Sequence, residues 1–189
     1  MALSHRFIAI CAVALLVTGC AQMVAPPYSA DYTALDQLKK SAAGAKTSIG
    51  VFQPTDPKDA VNNLSLRAAR LGSSSGSFAK YLEDALSNDL KEISVYDPAA
   101  RTRIDAVILH NEMAIGGFNT GEGLMDVDLT ITRDGVQRLR KTYLARTTFE
   151  SSFAGAVAIP KAQSEYPRLV RELLRNVYSD PAFVSAITP

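Results

Sequence analysis

The sequence predicts an α+β fold, a two-layer sandwich whose mainly antiparallel sheet carries two helices packed on one face. Three observations predict it. Phe78, Tyr81, Leu82, Ala85, Leu86 and Leu90 recur at steps of three and four, the period of an amphipathic helix. Between 104 and 149 the apolar residues fall into strand-like runs, most clearly where Met125, Val127, Leu129 and Ile131 alternate with Asp126, Asp128, Thr130 and Thr132. Helical spacing then returns in Tyr166, Leu169, Val170, Leu173 and Val177. A helix, a meander of strands and a second helix bury their apolar faces most economically as two layers.

Taken in order, residues 21–31 with Pro26-Pro27 show little apolar patterning and read as a tether that the proline pair stiffens. Thr33 is the expected cap of a brief helix running to Lys40, and Gly44 ends it. Thr47 to Gln53, with Ile49, Val51 and Phe52, reads as a first strand stopped by Pro54 and Pro57. Between 54 and 77 the reading divides: Val61 to Leu66 suits a short added strand, whereas Leu71-Gly72-Ser73-Ser74-Ser75-Gly76-Ser77 reads as a flexible loop. Ser77 is a natural N-cap for the helix that follows to about Lys91, with Glu83 and Asp84 on its solvated face. Phe78 and Tyr81 are read as core.

Three strands are expected next, over Ile104 to Ile115, Met125 to Thr132 and Leu139 to Phe149. The glycine-rich stretch Gly116 to Gly123 makes a hairpin tip between the first two. At the second turn, a loop of Asp134-Gly135 alone would place Arg138 and Arg140 opposite Ile131 and Leu129, covering the core with cations. A three-residue loop, Arg133-Asp134-Gly135, is therefore preferred; it pairs Thr132 with Val136, Leu129 with Leu139 and Met125 with Tyr143. Phe153 to Ile159 leads to a second helix capped by Ser164, in whose first turn Pro167 is tolerated, and Ser179-Asp180-Pro181 ends it.

Composition excludes several classes. The 189 residues carry 20 Lys+Arg against 19 Asp+Glu, with 47% hydrophobic and 21% charged side chains. That is neither a disordered tail nor a multi-span membrane protein. A net charge of +1 with no cationic run beyond two residues argues against nucleic acid as a partner.

The first twenty residues carry the most specific signal. His5-Arg6 precede eleven apolar residues, Phe7 to Val17, and then Thr18-Gly19-Cys20. Eleven residues fall short of the about 20 that span hydrocarbon and match a signal-peptide apolar core before a cleavage site. Val17-Thr18-Gly19-Cys20 resembles the bacterial lipobox, in which the Cys thiol takes a diacylglyceryl group and a peptidase cuts before it. The resemblance implies cleavage between Gly19 and Cys20, a covalent lipid (palmitate among its acyl chains) on Cys20 and attachment to a membrane. Two or more acyl chains hold stably where one does not. Ala21 in place of Asp after the Cys implies the periplasmic face of the outer membrane rather than the inner membrane. Removal of 1–19 takes away Cys11 and Arg6, leaving one cysteine for lipid, none for a disulfide, and 19 cationic against 19 anionic side chains. The expected organisation is thus 1–19 removed as a lipoprotein signal peptide, 20–45 a lipidated N terminus and tether, and 46–189 a single α+β domain.

Reactive constellations are sparse. His110 is the one histidine after residue 19, and Glu112 falls on the same strand face. Such a pair suits a general base but more commonly marks surface neighbours on a sheet. One His without a free thiolate does not build the usual zinc sites, so no metal or cofactor is expected. Asp126 and Asp128 share a strand face and suit either a hard cation or a solvated polar surface. Gly116 to Gly123 lacks a Lys-Ser or Lys-Thr and precedes a strand, which excludes a phosphate loop. Its Phe118 is open to two readings, a contact with a partner or membrane surface, or a plain turn with one stray aromatic.

The outline of lipobox, tether, strand, helix, strand meander and C-terminal helix resembles the small periplasmic lipoproteins of the YajG-like and ABC-transport auxiliary types. So does the junction Ser151-Ser152-Phe153-Ala154-Gly155-Ala156-Val157-Ala158-Ile159-Pro160 followed by Tyr166-Pro167-Arg168-Leu169-Val170. The resemblance implies no catalytic residues. It implies a non-enzymatic accessory of an envelope transport or assembly system that binds an envelope protein partner or an amphiphile. Two alternatives stay open: a periplasmic hydrolase using His110 with nearby carboxylates, and a purely structural envelope lipoprotein.

Overall fold

The computed structural model describes residues 21–189. Along the chain run β1 (Ala21–Val24), α1 (Tyr32–Ser41), β2 (Thr47–Gln53), β3 (Leu64–Leu66), β4 (Ala69–Gly72), α2 (Phe78–Glu92), β5 (Thr102–Ala114), β6 (Thr120–Arg133), β7 (Val136–Glu150), α3 (Gly155–Tyr178) and α4 (Pro181–Ile187). The α+β class and the helices over one sheet face are as the periodicities predict. The main sheet has order β2-β5-β6-β7, antiparallel except for the β2–β5 pair, and a second sheet has order β1-β4-β3.

The inner face of the main sheet presents Ile104, Ile108, Met125, Val127, Leu129 and Ile131, all buried. Over β2 and β5 lies α2; over β6 and β7 lies α3. Phe78, Tyr81 and Tyr166 meet between the two helices, with the Phe78 and Tyr166 ring centroids 4.4 Å apart. The two aromatics of α2 are therefore core. Ser77 caps that helix as expected, its side chain accepting from the Lys80 N–H at 3.0 Å.

The stretch expected to be a tether is part of the fold. Residues 21–24 pair in parallel with 69–72, Ala25 is buried, and the Tyr81 hydroxyl donates to the Pro26 carbonyl at 2.8 Å. What sequence patterning lacked here, backbone pairing and hydrogen bonds supply. The next helix begins with Asp31, not Thr33, as its cap: Asp31 is extended and its carboxylate accepts from the Ala34 N–H at 3.1 Å. Part of the expected 71–77 loop is likewise strand, because Leu64, Leu66, Ala69 and Leu71 line one buried face of a hairpin that turns at Arg67.

The β6–β7 turn differs from the expected three-residue loop. Arg133 pairs with Val136 across Asp134 and Gly135, both at positive φ (51° and 78°), the two-residue turn that Asp-Gly favours. A register shift between Ile131 and Thr132 then admits one extra residue on β7, so Ile131 faces Leu139, and Tyr143 faces Val127 rather than Met125. The bulge removes the objection to the shorter loop, since Arg138 and Arg140 stay exposed.

The last long helix starts at Gly155, nine residues before the expected Ser164 cap, and holds both Pro160 and Pro167. Ala158 and Ala162, fully buried, carry the stripe of Tyr166 upstream at helical spacing, so packing sustains a turn that two prolines and small side chains do not announce. The Ser164 hydroxyl instead donates to the Lys161 carbonyl. Asp180-Pro181, read as a terminator, also starts α4: the Asp180 carboxylate accepts from the Ala182 N–H, with Pro181 in the first turn.

Candidate functional site

The polar residues singled out in the sequence meet on the outer face of the main sheet. A bulge between Ile108 and His110 in β5 reverses the alternation, so that Leu109 and His110 both face outward and Asn111 turns in. His110 then lies opposite Asp126 of β6. Its Nε2 is 3.2 Å from Glu112 Oε2, with the two side chains 45% and 56% exposed. Asp128 is taken up by Arg140, whose Nε and Nη2 donate to Oδ2 at 2.9 and 2.8 Å. Asp126 keeps one shielded carboxylate oxygen without a hydrogen bond. Histidine and carboxylates are thus neighbours, but the His110 pair is solvated and Asp128 is neutralised. No group of three metal-ligating side chains occurs among the described residues.

Asn111, not recognised in the sequence, is the polar residue the bulge delivers to the interior. Its amide donates to the Val61 carbonyl at 2.8 Å and to the Tyr166 hydroxyl at 3.0 Å, joining β5 to α3. A second unforeseen centre is Asp89, 1% exposed on α2. The hydroxyls of Tyr28 and Tyr178 both donate to its Oδ2 at 2.8 Å, and Oδ1 has no partner. Burial pushes the Asp89 carboxyl above its ordinary value, against the pull of those two hydroxyls. This clasp fastens the N-terminal segment to two helices.

Further bonds fasten the same segment along α3. Gln163 donates to the Val24 carbonyl, Arg171 to the Ser29 carbonyl, and Arg175 to the Asp31 carboxylate. The Arg175 guanidinium, together with the capping N–H groups, holds the Asp31 carboxyl below its usual range. Cys20 and the Gly19–Cys20 bond lie outside the described residues, but the residue joined to Cys20, Ala21, already belongs to β1.

One further group sits where the long strands and α3 begin. Phe118, on the β5–β6 tip, and Phe153, between β7 and α3, are each 76% exposed and stack with ring centroids 5.7 Å apart and planes 18° from parallel. The tip expected around Phe118 is therefore a two-aromatic surface. Its second ring comes from a segment that sequence reading treated only as a connector.

No family model matches the chain, and no curated protein matches it. Among solved structures it is similar to protein XCC0632 from Xanthomonas campestris, of the DUF330 family, at 9% identity over 84% of this chain and 91% of that one, with a TM-score of 0.50. It also aligns with a "putative lipoprotein" from Caulobacter crescentus CB15 at 14% identity over 83% of this chain and 98% of that one, with a TM-score of 0.47. The likeness to the Xanthomonas protein is one of fold.

Proposed function

We propose that the chain is a lipid-anchored accessory protein of the bacterial cell envelope, held by Cys20 at the periplasmic face of the outer membrane. It binds an envelope protein partner or an amphiphile without catalysing a reaction. The observation that carries the reading is the junction of a lipobox-like Val17-Thr18-Gly19-Cys20 with a strand that begins at Ala21. With the strand beginning at the residue after Cys20, no linker separates the proposed anchor from the fold. No helix among the described residues is long and apolar enough to cross a membrane, so the lipid is the attachment this reading depends on.

The solvated His110–Glu112 pair and the neutralised Asp128 favour binding over catalysis, since an acid–base pair works best where water is excluded. The outer sheet face, where Val107, Leu109 and Leu144 stand 42%, 54% and 51% exposed, offers area for a protein partner. Labelled palmitate should enter the wild-type protein and not Cys20→Ser, and crosslinking in envelopes should then recover a reproducible partner or a co-purifying lipid. Absence of label refutes the anchor. A hydrolytic activity lost in His110→Ala refutes the non-enzymatic reading.

A further inference from the structure

Ala21, the residue joined to Cys20, and the exposed aromatic pair lie at the same end of the molecule. Arg67, at the β3–β4 turn, donates from Nη2 to the Ile115 carbonyl at 2.5 Å and the Ser152 carbonyl at 3.2 Å, and from Nη1 to the Phe153 carbonyl at 2.6 Å. It binds together the β5–β6 tip, the β7–α3 junction and the start of β4. Two residues after Arg67, Ala69 pairs with Ala21.

The N-terminal segment and α3 run in the same direction, with Val24 bonded to Gln163, Ser29 to Arg171 and Asp31 to Arg175. Stepping back from Val24 to Ala21 covers roughly 10 Å of strand. The same rise along α3 from Gln163 takes about seven residues. That brings Ala21 level with the first turn of α3, where Val157 is 59% exposed.

Arg67 is the cation at the base of this end, its guanidinium occupied by three backbone carbonyls, and the two segments that carry the aromatic rings are themselves without charge. Residues 113–121 and 151–160 contain no Asp, Glu, Lys or Arg, although such residues make up 21% of the chain, and Glu112, Glu122, Glu150 and Lys161 flank the two stretches. Two stacked phenylalanines and a valine exposed on segments without charged residues are costly in water and suited to the headgroup layer of a bilayer, where a guanidinium such as that of Arg67 is also at home. Adjacent Cα atoms are about 3.8 Å apart, so a lipid on the residue joined to Ala21 would be separated from β1 by no linker.

We propose that Phe118 and Phe153, with Val157, form a wedge that enters the lipid headgroup layer next to acylated Cys20 and fixes how the domain stands on the membrane. The occupant of the apolar tip is the bilayer itself. The inference rests on lipidation of Cys20 as read above.

The chain contains no Trp, so a single reporter is unambiguous. Full-length protein carrying Phe118→Trp, Phe153→Trp or, at the far hairpin, the 57%-exposed Val136→Trp is expressed with its leader and purified. Each is reconstituted into vesicles of phosphatidylethanolamine and phosphatidylglycerol with brominated acyl chains. Mass spectrometry of the same samples reads the lipid on Cys20. With lipid present, emission from the two tip reporters should shift to the blue and be quenched at least about twofold more than from Val136→Trp, because interfacial apolar groups lie about 5–10 Å deep. Quenching no greater than that of Val136→Trp in lipidated protein overturns the wedge while leaving the anchor intact. A blue shift that bromine does not quench means that protein, such as a second copy of this chain, covers the tip, and also overturns it. Absence of the lipid mass defeats the anchor reading, and the wedge falls with it.

Discussion

Replacing Asp89 by Leu isolates the clasp that fastens the N-terminal segment. Tyr178 is 5% exposed, so its hydroxyl, deprived of Asp89 Oδ2, is left buried without an acceptor at a cost of about 1–3 kcal/mol. Tyr28 is only half-buried, and its hydroxyl turns to water, which adds little. Asp89→Leu should therefore lose about 1–3 kcal/mol in urea unfolding followed by circular dichroism, measured near pH 4. Adding Tyr178→Phe removes the stranded hydroxyl and should restore most of that loss. The pH dependence has a definite sign. Burial raises the Asp89 carboxyl in the folded state above the ordinary 3.8, so the folded protein binds the proton more tightly than the unfolded chain does. The wild type's advantage is fully present below about 3.8 and declines as pH rises through the folded value. Comparing wild type with Asp89→Leu at each pH cancels the other carboxylates. A double variant no more stable than the single one, or a wild-type advantage that grows with pH, refutes the reasoning.

Leu169→Ala, at a fully buried position of α3, should cost about 2–5 kcal/mol in urea unfolding. Gly121→Ala would place a Cβ 2.3 Å from the Phe149 ring, and displacing that ring should lower stability by about 1–3 kcal/mol, read as a fall in Tm. Asp180→Ala removes the α4 cap, worth about 1 kcal/mol, and leaves the buried Tyr143 hydroxyl without its carboxylate acceptor, for about 1–3 kcal/mol more, while loss of the exposed Lys141 pair adds little. Burial raises the Asp180 carboxyl, but those bonds outweigh it and hold the group low. Its contribution is thus present above pH 3.8 and should vanish on acidification through the lowered value, as unfolding of Asp180→Ala against wild type will show. A Gly-Ser linker inserted between Cys20 and Ala21 should leave stability unchanged yet reduce partner crosslinking. Equal crosslinking would show that attachment alone suffices.

What was legible in the sequence followed from periodic burial. Met125 to Thr132 announces its strand because one face meets helices and the other water, and Phe78 to Leu90 announces its helix for the same reason. Elements stabilised by pairing or small side chains stayed hidden. The four residues of β1 show no alternation to read, and the first turns of α3 bury alanines that carry little hydrophobic signal. The β5 bulge was equally silent: periodicity alone cannot say that Leu109 and His110 both point outward, and with that fact goes the inward role of Asn111. At the candidate sites, same-strand spacing correctly put His110 beside Glu112. It could not show Arg140 crossing from β7 to Asp128 or Phe153 arriving against Phe118, since both depend on contacts distant in sequence. The Asp89 clasp joins residues 28, 89 and 178, and nothing in a helix-face acid distinguishes it before the three segments meet.

The bonding of residues 21–31 changes what a lipid on Cys20 would accomplish. A free linker of ten or so residues wanders over roughly 15–20 Å, so a body on such a leash samples many orientations at the membrane. Here β1 pairs with β4, Tyr28 is held by Asp89, and three side chains of α3 grip the segment from Val24 to Asp31. With Cys20 acylated and the Phe118–Phe153 wedge seated as proposed, that slack is gone, and height above the bilayer becomes a property of the fold. The fourteen residues of β6 span about 45 Å from the aromatic tip to the Asp134-Gly135 turn. Leu109 and Leu144, on the open sheet face, are thereby set at fixed levels between those ends. A partner embedded in the envelope, if it binds as proposed, would meet this face at one height and in one direction. Binding then spends less orientational freedom than it would on a tethered, tumbling domain.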